Sequence, residues 1–139
     1  MVIHYTGVLN FDQDTTNIFI NANLVKFYDK NPFKAAVRKL PIEFSYKSEE
    51  TYHMSIVLPE NIQPDSLYQP IQISYENEDM HYINNVGYYP SIHTLVVNTD
   101  FAINTTTYSI PHYETIREFF QKIVDENNKV IVLKKSINK

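Results

Sequence analysis

Alternation of apolar and polar side chains is the feature that most constrains the fold of this chain. It is clearest in TYHMSIVLP, residues 51–59, where every second residue from Tyr52 to Leu58 is apolar and Pro59 ends the run. Successive side chains of a strand point to opposite faces, so this spacing predicts a half-buried β-strand. Similar runs occur at residues 17–21, 40–46, 70–75, 80–86 and 94–107. The pattern predicts an all-β fold, a β-sandwich of six to eight short strands.

One segment departs from this pattern. In YETIREFF and the residues after it, apolar side chains recur at steps of three and four residues, which is the spacing of one helix face. The stripe consists of Tyr113, Ile116, Phe120, Ile123 and Val124, with Phe119 at its shoulder. We therefore expect one amphipathic helix over about residues 111–125 that covers the sheet. The following KVIVLKK predicts a final strand over residues 129–134.

Proline, asparagine and glycine mark the expected connections. LPENIQPDS and GYYPS are interpreted as turns, because Pro fixes φ while Asn, Asp and Gly tolerate left-handed backbone. The opening Val2–Asn10 is predicted to form a hairpin with the strand at residue 17, across the polar stretch DQDTT. Ala35–Val37 is predicted to be a loop or a single helical turn after Pro32. Without a linker or repeat, the chain is interpreted as one domain, residues 1–139.

Composition narrows the chemistry. The chain has no cysteine and two glycines, so it offers no thiol nucleophile, thiolate zinc site or phosphate-cradling loop. No serine lies in a Gly-x-Ser-x-Gly elbow. We predict no enzymatic activity and no cofactor.

Two weaker metal patterns have structural alternatives. His53 and His81 would bind a metal only if their strands brought them together, and otherwise they are outward-facing strand residues. The carboxylates of Glu76, Glu78, Asp79 and Asp100 lack the spacing of a calcium loop. A solvated hairpin tip is the favoured interpretation of that acidic group, so the sequence predicts no metal site.

Charge is distributed unevenly along a chain whose net charge is −4. The segment DKNPFKAAVRK is basic, whereas residues 48–126 are strongly acidic. This balance argues against nucleic-acid binding, and no run approaches the ~20 apolar residues of a membrane span. We predict a docking surface formed by Phe33, Lys34, Arg38 and Lys39, with Phe33 as an aromatic anchor. The alternative is that Phe33 pins its loop to the core while the charges face solvent.

Tyrosine is the other unusual component, with 11 residues in the chain. Tyr75, Tyr82, Tyr88 and Tyr89 are candidates for an exposed aromatic face that binds carbohydrate or peptide by stacking. The structural alternative is cross-strand aromatic packing. The opening residues MVIHYTGVLN contain no basic segment followed by an apolar run, so they do not predict a signal peptide.

Three segments, in this order, resemble a known family: NPFKAAVRKLPIEF, TYHMSIVLPENIQPDSLYQP and YETIREFFQKIVDENNKVIVLKK. They are similar to the C-terminal domain of unknown function that follows a transglutaminase-like core in bacterial exported or envelope proteins. The resemblance implies a C-terminal fragment of a larger protein, whose partner is the upstream core or another envelope protein. It also implies a periplasmic or extracellular location. The Cys-His-Asp residues of such cores lie outside this domain, so the resemblance assigns no catalytic residue here.

Overall fold

The computed structural model describes residues 1–10, 16–24 and 26–136. Its elements are β1 Asn17–Asn21, β2 Ile42–Glu43, β3 Ser48–Val57, β4 Ile62–Ser66, β5 Ile71–Tyr75, β6 Met80–Tyr89, β7 Thr94–Ile103, β8 Thr107–Tyr108, α1 Tyr113–Asn127 and β9 Val130–Lys135. Short 3-10 turns at Pro90–Ile92 and Ile110–His112 precede β7 and α1. The predicted all-β fold with one C-terminal helix and a final strand is confirmed.

The strands form three antiparallel sheets, ordered β1-β9-β4, β2-β8 and β3-β7-β6-β5. Side chains from the three-stranded sheet and from one half of the four-stranded sheet share a core cluster: Ile18, Ile20, Ile62, Met54, Leu95, Val97, Ile131 and Leu133. We call the covered side of the four-stranded sheet its inner face. The two larger sheets therefore pack face to face, which is the sandwich that the alternation predicted.

Helix α1 covers the other half of the inner face. Its six predicted apolar residues are all buried, Phe119 included. They pack with side chains of the four-stranded sheet and of the β2–β8 pair: Tyr75, Met80, Tyr82, Phe101, Ile103, Ile42 and Tyr108. The helix begins at Tyr113, two residues later than predicted, because Ile110–His112 forms a 3-10 turn.

A row of polar side chains separates these two apolar clusters. Tyr52, Thr99 and Asn84 are register partners on neighbouring strands of the inner face. Thr99 and Asn84 are almost fully buried. Thr99 donates to Asn23 Oδ1 at 3.1 Å, and Tyr68 donates to Asn84 Oδ1 at 2.9 Å. We call Tyr52, Thr99, Asn84, Asn23 and Tyr68 the polar row.

Three predicted connections differ from the structure. LPENIQPDS contains β4, where Pro64 is tolerated because β4 is an edge strand whose register shifts between Pro64 and Ser66. Gly87, Tyr88 and Tyr89 extend β6, and the turn follows at Pro90–Ile92. The predicted hairpin is wrong, because Val2–Asn10 has no strand and β1 pairs with β9. The apolar residues of that segment are adjacent rather than alternating. Most of DQDTT lies outside the described residues.

Buried tyrosines predict a loss of stability at high pH. Burial raises the pKa of Tyr82 to about 12 from 10.0, and the nearby Glu126 carboxylate adds to the effect. Burial likewise raises the pKa of Tyr68. A raised folded-state pKa stabilises the fold fully below the unfolded value, and this contribution disappears as pH rises through the folded value. Denaturant melts should therefore lose stability from about pH 10 towards pH 12, together with the appearance of tyrosinate absorbance. A free energy of unfolding that stays constant between about pH 10 and pH 12 would contradict this.

Within the described ranges, no helix is both long enough and apolar enough to cross a membrane.

Candidate functional site

Residues 31–40, NPFKAAVRKL, form an irregular loop with neither helix nor strand, and we call this segment the basic loop. The Asn31 side chain fixes its start. Its Oδ1 accepts a hydrogen bond from the Phe33 N–H at 2.9 Å, and its Nδ2 donates to the Arg117 carbonyl of α1 at 2.9 Å. The first bond closes a local Asn turn, and the second ties that turn to the helix. The loop is therefore anchored to α1 at its first residue.

The structure places Phe33 in the core, where it retains 8% of its exposure. Its ring makes edge-on contacts with Phe120 and Tyr113 at centroid distances of 5.0 and 5.9 Å. A side chain held in this way is not available to a partner. Phe33 is thus corrected from an exposed anchor to a core residue that pins the loop, which was the alternative considered above.

The three predicted basic residues divide by role. Lys34 and Lys39 are exposed, whereas Arg38 is half-buried. The Arg38 Nε donates to the Leu40 carbonyl at 2.9 Å, and its guanidinium carbon lies 5.9 Å from the centroid of the Tyr113 ring. Cation–π contact of this kind holds the guanidinium in place while leaving its charge near the surface. Arg38 therefore shapes the loop, and the two lysines carry freely accessible charge.

Two apolar residues of the basic loop were missed by sequence reasoning. Val37 and Leu40 expose 78% and 71% of their surface. Tyr113 donates to the Ala35 carbonyl at 2.7 Å, so the backbone just before Val37 is fixed against the helix. The available signal was two aliphatic residues that flank Arg38-Lys39 without any alternation. Together with Lys34 and Lys39, they make the exposed surface of the basic loop both apolar and basic.

The four predicted tyrosines do not form one exposed face. Tyr75 and Tyr82 are buried on the inner face, and Tyr88 is partly buried there. Tyr89 is one residue further along β6, so it points to the opposite side and is 54% exposed. The buried tyrosines serve aromatic packing in the core, and some of their contacts join different sheets; for example, the rings of Tyr75 on β5 and Tyr108 on β8 meet edge-on at 5.6 Å.

The turn after β5 gathers several titratable groups. The Tyr75 hydroxyl lies 2.6 Å from His112 Nδ1, which lies 3.2 Å from Glu76 Oε1. Burial raises the pKa of the Tyr75 hydroxyl, and the Glu76 carboxylate adds to this. A phenol that stays protonated beside an imidazole and a carboxylate serves as a hydrogen-bond donor. We interpret this group as a clasp between β5 and the start of α1.

The acidic residues around that turn do not converge. Glu76, Asn77 and Glu78 have positive φ angles of 28°, 45° and 65°. Asp79 accepts a hydrogen bond from the Thr105 hydroxyl at 2.9 Å. Asp100 accepts one from Thr51 on the outer side of the sheet. The segment is the hairpin tip between β5 and β6 that the sequence favoured.

His53 and His81 lie on strands that are separated by β7. His53 contacts Asn98 on β7, whereas His81 is the register partner of Ala102, four residues further along that strand. Both face outward, on the side opposite the core. Across the portion of the chain that the structure describes, no group of three or more His, Cys, Asp or Glu side chains is arranged to hold a metal ion.

Comparison with solved structures finds a similar fold in a "putative protease" from Parabacteroides distasonis, with a TM-score of 0.60 and 14% sequence identity. The similarity covers 73% of this chain but 19% of that protein, so this chain corresponds to about a fifth of the longer one. At this identity the likeness concerns the fold alone.

None of the curated proteins matches the chain. A family model does match it over residues 16–133, which include all nine strands except the last two residues of β9, and the helix. That family is described as a domain of unknown function with a solved structure, DUF3858. The chain belongs to the DUF3858 family.

Proposed function

We propose that this chain is a non-catalytic accessory domain of a larger bacterial protein with a transglutaminase-like or protease-like core. It docks on that core, or on another envelope protein, through the basic loop. The observation that carries the proposal is the combination of rigidity and exposure in this loop. Asn31 and Phe33 fix it to α1 and the core, while Val37 and Leu40 remain exposed.

The chemistry of the loop suits a protein interface. Two aliphatic side chains supply apolar area at the centre, and Lys34 and Lys39 supply charge at the rim, where electrostatic complementarity sets orientation and encounter rate. Because the backbone is already held by Asn31 and Tyr113, little conformational entropy is lost on binding. The partner surface we propose is an apolar patch edged by carboxylates.

The non-catalytic assignment is supported by what the sequence lacks. Cysteine, the nucleophile of the cores that the resemblance suggests, is absent from all 139 residues. The group formed by Tyr75, His112 and Glu76 ties two elements together and adjoins no Ser, Thr or Lys nucleophile in its hydrogen bonds. The proposed compartment is periplasmic or extracellular, and it rests on the family resemblance.

The experiment begins with the gene that encodes this chain. If its product contains a core domain upstream, the core and this domain are expressed separately and titrated by calorimetry. Leu40→Asp should weaken association at least about tenfold, because interface centres carry most of the binding energy. The Tm of the variant should be nearly unchanged, since Leu40 is exposed in the free domain.

Ile92→Asp is the matched control, because Ile92 is 62% exposed in the turn before β7, away from the basic loop. It should leave the affinity unchanged. A gene product without any upstream core would refute docking on a core of the same protein. A titration of the two separated domains with no saturable binding at ~1 mM would refute docking on the core likewise. Equal losses in Leu40→Asp and Ile92→Asp would refute the assignment of the surface.

A further inference from the structure

A shallow groove of about 150 Å³ runs between β5 and helix α1. Ile73, Tyr75 and Phe119 give it apolar walls, while Glu118 and Lys122 lie on its helical side. A cavity of about this volume accommodates a small ring such as benzene, and therefore one aliphatic or aromatic side chain. The residues that line the groove include no member of the polar row and no residue of the basic loop.

Among the residues that the structure describes, strand β5 is an edge strand of the four-stranded sheet and pairs with β6 alone. Edge strands are normally protected by charged residues, proline or a bulge within the strand, or by a helix or loop that covers the edge. The other edge, β3, follows this rule with Glu49 and Glu50. β5, with sequence IQISY, has no charge, proline or bulge, and its register with β6 is unbroken over all five residues. Helix α1 lies beside this strand, but the groove separates the two.

An uncharged, regular edge strand beside a helix, with a groove of mixed apolar and polar lining between them, is an arrangement that can accept an extended peptide as an additional strand. Backbone hydrogen bonds to the edge supply affinity, and alternate side chains of the peptide enter the groove. We infer that the groove between β5 and α1 binds an extended segment of a partner protein by strand addition. This inference is independent of the basic loop.

Charge indicates which peptide fits. Glu118 lies in the groove, and the turn that ends β5 adds the exposed Glu76 and Glu78, against the single cation of Lys122. Carboxylates near a binding edge favour basic side chains on the incoming strand. The preferred ligand is a short segment with β-branched residues, which suit a strand and fill the groove, flanked by Lys or Arg.

The inference is tested with the acetylated and amidated peptide Lys-Val-Thr-Val-Lys and the ¹⁵N-labelled 139-residue protein. Amide shifts should saturate and concentrate on β5 and α1. Two further peptides carry methyl groups on alternate backbone nitrogens, one in each of the two possible sets. The form whose methylated nitrogens face β5 should bind more weakly, because those nitrogens cannot donate a hydrogen bond to the strand. No saturation at ~1 mM, or equal affinity of the peptide and both of its methylated forms, would overturn strand addition.

Two charge reversals test the ligand class. Glu118→Lys should weaken binding about threefold, and Lys122→Glu should strengthen it by a similar factor, as exposed charge pairs contribute modestly. Glu114→Lys is the matched control, because Glu114 is exposed on the same helix but does not line the groove. Equal effects of Glu118→Lys and Glu114→Lys would overturn the proposed contact. The alternative partner for the edge of β5 is the same strand of a second copy of this chain. A concentration-dependent dimer that excludes the peptide would overturn the inference that the groove binds a segment of a different protein.

Discussion

Phe120→Ala should lower the free energy of unfolding by about 3–5 kcal/mol, the range expected when a fully buried phenylalanine is truncated. Phe120 is completely buried in α1. Its ring contacts five other aromatic rings at centroid distances of 4.9 to 6.1 Å, namely Tyr28, Phe33, Phe44, Phe101 and Phe119. These rings come from loops, β7 and the helix itself. Because separate elements hold these rings, they cannot move together to fill the cavity that the truncation leaves.

The measurement is a denaturant melt of the variant, with Phe19→Ala as the matched control. Phe19 lies on β1 and is 68% exposed, so the same truncation there should cost less than about 1 kcal/mol. A loss below about 1 kcal/mol for Phe120→Ala would mean that the helix does not close the aromatic core. A large loss in Phe19→Ala would show that the exposed face of β1 is covered in solution.

The helix was predictable because its signal is local. The apolar stripe that includes Ile116 and Ile123 has a period that only a helix satisfies, and both residues are fully buried. The strand alternation of β3 was local in the same sense. Its Met54 is buried and its neighbour His53 exposed, as the pattern requires.

The errors arose where long-range partners decide the outcome. Pro64 was interpreted as part of a turn, but β9 supplies a partner from about seventy residues away, and the edge position removes the need for the missing N–H. Gly87 and Tyr88 were likewise assigned to a turn, but β7 pairs with them throughout. These strand pairings cannot be inferred from the local residue types, and the tertiary contacts override the turn propensity of Pro64 and Gly87.

The candidate site was predictable as a segment but not in its roles. A basic stretch in an acidic chain drew attention to residues 29–39, and the structure places most of this stretch in an irregular loop. Whether Phe33 faces solvent depends on Asn31 meeting the Arg117 carbonyl, a contact between residues 86 positions apart. The groove beside β5 was not predictable either, because its walls come from β5 and α1, which are joined only in the folded chain.

Period-2 spacing places Tyr52, Thr99 and Asn84 of the polar row on the inner face, among apolar neighbours. Asn84 has the parity of Met80 and Tyr82 in β6 and is as fully buried as they are. A chain of hydrogen bonds satisfies it. Tyr68 donates to its Oδ1 at 2.9 Å, and its Nδ2 donates to the Tyr82 hydroxyl at 3.1 Å, which donates to Asn127 Oδ1 at 3.0 Å.

This chain joins three elements around the boundary between the two apolar clusters. Tyr68 follows β4, Asn84 lies in β6, and Asn127 is the last residue of α1, where its Nδ2 donates to the Tyr28 carbonyl at 3.2 Å. The Tyr82 hydroxyl both accepts and donates a hydrogen bond, and the Tyr68 hydroxyl donates one. A complete network of this kind stabilises the fold more than its hydrogen bonds would separately. Of the hydrogen-bonded side chains of Tyr68, Asn84, Tyr82 and Asn127, those of Asn84 and Tyr82 lie in the four-stranded sheet.

Asn84→Ala should therefore cost about 2–3 kcal/mol of unfolding free energy, since it removes two hydrogen bonds and leaves the Tyr68 hydroxyl without its acceptor. Asn85→Ala, one residue away on the outer face and exposed, is the control and should stay within about 0.5 kcal/mol. Both variants replace Asn by Ala on β6, so the difference in β-strand propensity between these two residue types is the same in each. Equal losses would mean that water replaces the Asn84 contacts and that the polar row does not hold the two clusters in register.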